Sequence, residues 1–530
     1  MPNDSVTYQK SGYFSSLIND YLDEKKQVTS LYNRFPTIEN FEAQILEKKQ
    51  NFPIENRAIL VEALQDQYRG FELSASTSQN INALKNESTF TVTTGHQLNL
   101  FSGPLYFLYK IVSTINLCKK LTTTYPKHTF VPIYWMATED HDFEEINHFY
   151  FKGKKITWDK TSKGPVGTNL TDSLKELYKT IDNEFGTSKN ASEIKALFKK
   201  AYLEHNNLSD ATRYLADSLF HDDGLVIIDG NDKKLKTLFA PYVLREIKEQ
   251  VGFKNVRETM AKFDNYAVQV NPREINLFYI EDQLRERIIL ENDCYKINST
   301  DLEFTLEEIE LSIKNQTTKF SPNVLLRPLY QEVILPNLCY IGGGGEIAYW
   351  LELKSMFEDF GVAFPMLLLR NSVLITTDKQ TNKADKLGLS WNDLFSKQQA
   401  LFESKVKELS TQNLDFTPYK KALQLQFGQL KEVAKTTDSS FTGAVLAQER
   451  KQLEGLEKLE KRLLKAEKRV HKEALERIFI LQNELFPNQG LQERKENFAS
   501  FYLEYGEQLL DKLKTELDPL KTEFTILNLS

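Results

Sequence analysis

Residues 90–142 read FTVTTGHQLNLFSGPLYFLYKIVSTINLCKKLTTTYPKHTFVPIYWMATEDHD. Phe90–Thr94 has the apolar and β-branched content of a short strand. Gly95–Gly103 then turns, and Ser102–Gly103–Pro104 can open a helix running through Leu121. Leu105, Leu108, Ile111, Val112, Ile115 and Leu117 recur at near-helical spacing along it. Phe130–Ala137 is apolar almost throughout, as expected of a parallel strand covered on both faces. Strand, helix, strand over about fifty residues is a βαβ unit. It brings two polar clusters, Thr93–Gln97 and Glu139–Asp142, to one edge of a sheet, where α/β folds present ligand-contacting groups. Only seven histidines occur in 530 residues, and two of them, His96 and His141, fall in these clusters. The fold class is therefore α/β, with a small-molecule site at that edge.

Working outward, residues 1–80 are mostly helical, interrupted at Pro36 and Pro53, and belong with residues 81–150 to the first part of the core. Residues 151–220 alternate, turn and then become charged helices, as in an insertion beside the sheet. Residues 221–385 resume the core: Leu225–Ile228 is a buried strand, and a helix from Lys233 carries a possible kink at Pro241. Tyr266–Val270 and Leu277–Ile280 are strand-like, and residues 284–318 form a second, charged excursion. The last apolar run of the core is Phe364–Leu369.

Residues 386–530 form a C-terminal helical domain poor in Gly and Pro. Leu456, Leu459, Leu463, Ala466, Val470, Ala474, Ile478, Leu481 and Leu485 advance by three or four, with nearly balanced charge between them. The spacing slips around Val470–Ile478, so the heptad is imperfect. A coiled coil or long antiparallel hairpin fits this pattern, serving either within one chain or as a dimer seam. Pro487 and Gly490 give a turn, and residues 491–517 look helical again.

The composition is that of a folded, soluble chain, with 41% hydrophobic and 27% charged residues. Its 67 basic and 74 acidic residues leave a net charge of −7 and no basic stripe, which argues against nucleic acid as a partner. No stretch approaches the length of a membrane span, and the N-terminal residues lack a leader pattern, so a cytoplasmic location is expected. Cys118, Cys294 and Cys339 are too widely spaced for a disulfide framework or a metal knuckle; Cys118 and Cys339 read as buried thiols.

The candidate chemistry lies in three constellations. At the first, the Gly95 turn and His96 could contact a phosphate or a developing oxyanion, with Gln97 and Asn99 adding polar contacts; a capping histidine is the plain alternative. Lys110, farther along the helix, reads as structural or solvent-facing. At the second, Glu139, Asp140, His141 and Asp142 could hold an ammonium group and take its proton, or could be a solvated acidic helix start. On a helix His141, Glu145 and His148 would share a face, yet the spacing matches no zinc-protease signature and no metal is assigned. The third comprises Arg327, Gln331 and the run Gly342–Gly345, followed by Glu346 and Tyr349. Four glycines permit close backbone approach, Gly344 among them, although no Walker or dinucleotide motif follows and the preceding segment is not clearly a strand. Arg327 and Arg370 could clamp carboxylates or serve as structural ion pairs.

The stretches TTGHQLNLFSGPLYFLYKIVSTI, VPIYWMATEDHDFEEINH and LLRPLYQEVILPNLCYIGGGGEIAYWLELKSMFEDFGVAFPMLLLR resemble the bacillithiol-biosynthesis cysteine-adding enzymes, the BshC family. The likeness runs essentially end to end. The family commonly has Gly-Gln-Gln where this chain has Gly95–His96–Gln97. The resemblance implies a Rossmann-like nucleotidyltransferase-type core with inserted connecting segments and a C-terminal α-helical coiled coil associated with a homodimer. It further implies a ligase that adds L-cysteine to glucosaminyl malate, the last step to bacillithiol. Amide formation from a free carboxylate needs activation, most simply by ATP with Mg2+, and a nucleotide is associated in this family with a pocket away from the core site. On this reading Gly95 and His96 contact phosphate or acyl oxygens, the 139–142 cluster handles the amine, and Arg327 or Arg370 receives the malate carboxylates. The rival readings are a related ligase for another amine and a nucleotide-binding dimeric scaffold without turnover.

Overall fold

The computed structural model describes residues 5–263 and 265–529; the first residues of the polar N-terminal stretch lie outside them. The chain forms two compact units, one of residues 5–375 together with 492–529, the other of residues 376–491.

The first unit is built on five parallel strands in the order Met366–Leu369, Asn337–Gly342, Thr89–His96, Thr129–Met136, Val226–Asp229. The chain starts in the middle, runs to one edge, and returns to fill the other side, which is the doubly wound Rossmann order. The strand Thr89–His96 has no exposed residue because a neighbour lies on either side and helices cover both faces. Its threonine hydroxyls find partners inside: Thr91 and Thr93 donate to Asn337 Oδ1 at 3.3 and 2.9 Å. The helix Tyr106–Thr124 delivers Leu117, Cys118 and Leu121 into a core shared with Phe90, Val92, Phe130, Leu338, Cys339 and Ile341. Cys118 and Cys339 are thus the buried free thiols that their apolar surroundings suggest.

The Gly-rich run follows a strand after all. Asn337–Gly342 pairs with a strand on each side, Tyr340 lying beside both Thr93 and Leu367. Its Asn-Leu-Cys-Tyr composition hid it, because a strand buried on both faces carries no alternation. Tyr266–Val270 is not a strand: the Gln269 N–H goes to the Glu352 carboxylate at 2.7 Å in place of a neighbouring strand.

Two additions flank the core sheet. A hairpin, His148–Phe151 with Lys154–Thr157, is followed by helices Leu174–Phe185, Lys189–Leu203 and Leu208–Phe220. The charged excursion at 284–318 belongs to a second sheet of five antiparallel strands, in the order Glu303–Phe304, Cys294–Ile297, Leu284–Glu291, Leu277–Glu281, Phe320–Pro322. Beyond residue 491 the chain rejoins the first unit. It forms the short helices Ala499–Tyr505 and Gln508–Glu516, then a strand, Glu523–Asn528, paired antiparallel with Ser5–Thr7.

The second unit is helical. Helices Thr417–Lys435 and Ser439–Val470 form an antiparallel hairpin around Phe427, Ala434 and Val445, tied by Lys431–Glu449 at 2.5 Å and Lys420–Glu460 at 2.6 Å. The long helix stops at His471 and Lys472–Leu485 begins, which is where the heptad spacing slips. Among the described residues no helix is long and apolar enough to cross a membrane.

Candidate active site

In a doubly wound sheet the crevice opens where the strand order reverses, here between Thr89–His96 and Asn337–Gly342. A cavity of about 390 Å3 stands at that point, lined by residues from the ends of both strands. It gathers Gly95, His96, Gln97, Asp140, Arg327, Gln331, Glu346, Tyr349 and Arg370 from five separate stretches of sequence.

At its centre is an ion pair. Lys110 Nζ sits 2.6 Å from Glu346 Oε2 and donates to the Gly95 carbonyl at 2.7 Å, with its side chain only 4% exposed. Glu346 Oε2 also accepts the Gly343 N–H at 2.8 Å, while Tyr340 OH donates to Oε1 at 2.8 Å. Burial pushes the Glu346 carboxyl upward, but Lys110 and these two donors outweigh it and hold the group below its ordinary range. Burial pulls the Lys110 ammonium down, partly offset by Glu346. Lys110 therefore belongs to the site and is neither exposed nor peripheral. The signal for it was faint: one lysine within the apolar run Leu105–Val112 of a helix that must face the sheet.

The glycine run serves this geometry. A Cβ on Gly342 would stand 2.9 Å from the Tyr340 ring and 3.0 Å from Glu346 Cβ, so a side chain there would displace the carboxylate. On Gly343 it would approach Glu346 Oε2 at 3.4 Å and Arg370 Nε at 3.8 Å. Gly344 faces away, against Phe14 and Ile18, and is not among the residues around the cavity.

His96 is 7% exposed, packed edge-on to Tyr106 and tilted against Phe107, and its Nε2 has no hydrogen-bond partner. Burial, reinforced by the Lys110 and Arg370 charges, holds its pKa well below the usual value. The ring is thus neutral at neutral pH, with Nε2 buried and unpartnered at the cavity wall. Arg370 lies over the Tyr106 ring and pairs with buried Glu493 at 2.7 Å, leaving its Nε unpartnered. Glu493 and Arg494, which also faces the cavity, come from the segment that returns to the first unit; sequence grouping put them with the C-terminal helices and missed them.

The acidic cluster disperses. Asp140 lines the cavity and accepts from Arg327 Nη2 at 3.0 Å, with Arg285 Nη1 at 3.9 Å. Burial would raise its pKa, yet Arg327 and Arg285 together keep it lowered. Glu139 is turned away to Lys236, 2.5 Å off. His141 and Asp142 face an adjoining chamber, where His141 Nδ1 accepts from Arg285 Nη1 at 2.6 Å. Asn99 packs beside Gly103, outside the cavity. The helix that would align His141, Glu145 and His148 spans only Phe143–Ile146, so the three do not share a face; Glu145 instead accepts from Gln97 at 3.0 Å. Among the described residues no group of three metal-ligating side chains stands together.

Comparison with known proteins matches this architecture in order. The N-terminal Rossmann-like domain of bacillithiol biosynthesis BshC matches residues 1–371, and the C-terminal coiled-coil domain of the same family matches residues 373–529. The chain is 58% identical over 529 residues to the BshC protein of Flavobacterium johnsoniae, covering 100% of both chains. It is 58% identical over 528 residues to that of Flavobacterium psychrophilum, covering 99% of each. With the protein of Cytophaga hutchinsonii it shares 38% over 518 residues, 97% of each chain. Matched in both domains and along its whole length, the chain belongs to the BshC family of bacillithiol biosynthesis.

Proposed function

We propose that the chain is a ligase forming the amide bond between the carboxyl group of L-cysteine and the amine of glucosaminyl malate. Its relatives are designated candidate cysteine ligases. The observation that carries the reading is the cavity at the switch point, whose wall holds a neutral imidazole with an unpartnered nitrogen together with the Lys110–Glu346 ion pair. Lys110, Arg327, Arg370 and Arg494 stand against Asp140, Glu346 and the Glu493 paired with Arg370, an excess of one positive charge that suits anionic reactants.

In the reaction the nitrogen of the sugar amine attacks the acyl carbon and forms the C–N bond. The acyl carbon–oxygen bond to the activating group breaks with its electron pair leaving on that oxygen, and the proton shed by the nitrogen passes to solvent. His96 Nε2 is placed to hydrogen-bond the amine or the acyl oxygen. Asp140 and Glu346, both held ionised, orient an incoming ammonium, and Lys110 and Arg370 offset negative charge growing on oxygen. ATP, with Mg2+ as its counter-ion, would supply the activation of the carboxylate, and the Lys110 ammonium and unpartnered Arg370 Nε suit its phosphate oxygens.

The same reading includes a homodimer formed through the C-terminal helices. Leu425 and Val470 are 70% and 72% exposed, and Leu430, Val433, Leu446 and Leu459 are also exposed, more apolar surface than a helical hairpin needs to leave in water. Reduced, widely spaced thiols suit a cytoplasmic setting.

The test is incubation of the purified protein with cysteine and glucosaminyl malate, with and without Mg-ATP, following the thiol product by mass spectrometry. Product that requires ATP supports the ligase with nucleotide activation. Product without ATP keeps the ligase and removes ATP from it. No product from a folded dimer sinks the substrate assignment and turns attention to another amine.

A further inference from the structure

Beside the cavity lies a second chamber, about 500 Å3, that shares Asp140, Val324 and Arg327 with it. Its far wall is supplied by the inserted antiparallel sheet and by the irregular segment around Gln269–Arg273. Arg285 and Arg287 stand two apart on the strand Leu284–Glu291, so both project from one face of it. Arg285 is the built element: its side chain is 3% exposed, its guanidinium lies over the Phe278 ring at 3.9 Å, and Nη1 is fixed on His141. Its Nε nevertheless has no partner. A buried cation fixed in orientation with a donor left open is a costly arrangement unless a ligand completes it.

The charges indicate the ligand. Arg273, Arg285, Arg287 and Arg327 face the chamber against the carboxylates of Asp140 and Asp142, four positive charges against two negative. The remaining excess of two matches a group bearing two carboxylates. Resting on the ligase reading above, we infer that this chamber is the subsite for the dicarboxylate end of the sugar substrate, with Arg285 and Arg287 as its specificity-determining residues. The reacting amine then lies on the other side of the Asp140–Arg327 pair, in the switch-point cavity with cysteine. The inserted sheet thereby becomes the part of the fold that selects the acceptor.

The experiment is titration of the full-length protein with L-malate and, separately, with inorganic tripolyphosphate by calorimetry, for the parent, Arg285→Gln and Arg287→Gln. Arg287 is exposed, so its replacement tests the chamber even where loss of the buried Arg285 disturbs folding. Malate affinity reduced about 10-fold or more by Arg287→Gln, with KM for glucosaminyl malate raised in step and KM for cysteine unmoved, supports the assignment. Malate binding indifferent to both substitutions overturns it. Tripolyphosphate binding more tightly than malate, competing with it and losing affinity in the same variants, also overturns it and makes the chamber a phosphate site. Absence of turnover with Arg287-dependent malate binding would count against the ligase reading alone and leave the chamber's ligand class standing.

Discussion

The two units depart from ordinary burial in opposite directions. In the first, charged side chains are withdrawn from water: Lys110, Arg285, Arg370 and Glu493 all have side chains no more than 4% exposed. In the second, apolar side chains are left in water, Leu425 and Val470 most of all. Buried charge and exposed hydrocarbon are the two informative exceptions to the usual sorting of residues. They ask for different completions. On the proposed reading, the first unit takes a small polar ligand into its cavity, and the helices take the apolar face of a second copy of the chain.

The largest effect that would break this contrast is expected at the Lys110–Glu346 pair. Lys110→Met should lower kcat/KM by about 1000-fold and destabilise the fold by about 1–3 kcal/mol, because it removes the cation from the half-buried Glu346 carboxylate; steady-state kinetics and thermal melts check both. A variant with near-parental values would show that the buried pair is only packing. Next, His96→Ala should cost about 100-fold in turnover while His96→Gln, which keeps a hydrogen-bonding group there, stays within about 10-fold. An equal loss in both would instead point to a proton-transfer role for the imidazole. For the helical unit, Leu425→Glu is expected to weaken self-association by about 10-fold or more, read by sedimentation velocity, while the monomer's melting temperature holds. Unchanged association would mean that this hydrocarbon is not at the seam.

The smallest effect sharpens the picture of the first unit. Burial raises the Glu352 carboxyl to about 7. Its pKa in the folded chain exceeds the unfolded value, so its protonated form adds stability that is complete below the ordinary carboxylate range and lost as pH rises toward 7. Glu352→Gln, which keeps an acceptor for the Gln269 N–H, should therefore raise the melting temperature at pH 8 and leave it nearly unchanged at pH 4. A gain of the same size at both pH values would show that the carboxyl does not titrate between them.

The strand–helix–strand start of the fold was legible because Phe90–Thr94 and Phe130–Ala137 carry their burial in composition, and the observed strands Thr89–His96 and Thr129–Met136 lie within two residues of them. The strand Asn337–Gly342 was not, since polar Asn337 is satisfied in part by Thr91 and Thr93, far away in sequence, and Tyr340 by Glu346 beyond the glycine turn. Glu523–Asn528 was missed for a related reason: it lies between Ser5–Thr7, at the other end of the chain, and Ser372–Thr376, far earlier in the sequence. At the site, His96, Asp140, Arg327, Glu346 and Arg370 were legible as polar residues beside strand ends and glycines. Lys110, Arg285 and Arg494 were not, because a helix interior, an inserted strand and a distant return are unremarkable until folding brings them together.

That return has a consequence for biosynthesis. Gln492 binds the backbone of Ile375 through both ends of its amide, at 2.9 and 3.1 Å, so the helical unit leaves and re-enters the first unit at one clasp. Arg370 emerges from the ribosome well before its counter-ion Glu493, and the whole helical hairpin is synthesised in between. During that interval the nascent core holds a guanidinium without its carboxylate. The pocket around Arg370 is thus completed only after the helical hairpin has been synthesised, and a nascent chain arrested within the hairpin would hold that guanidinium without its counter-ion.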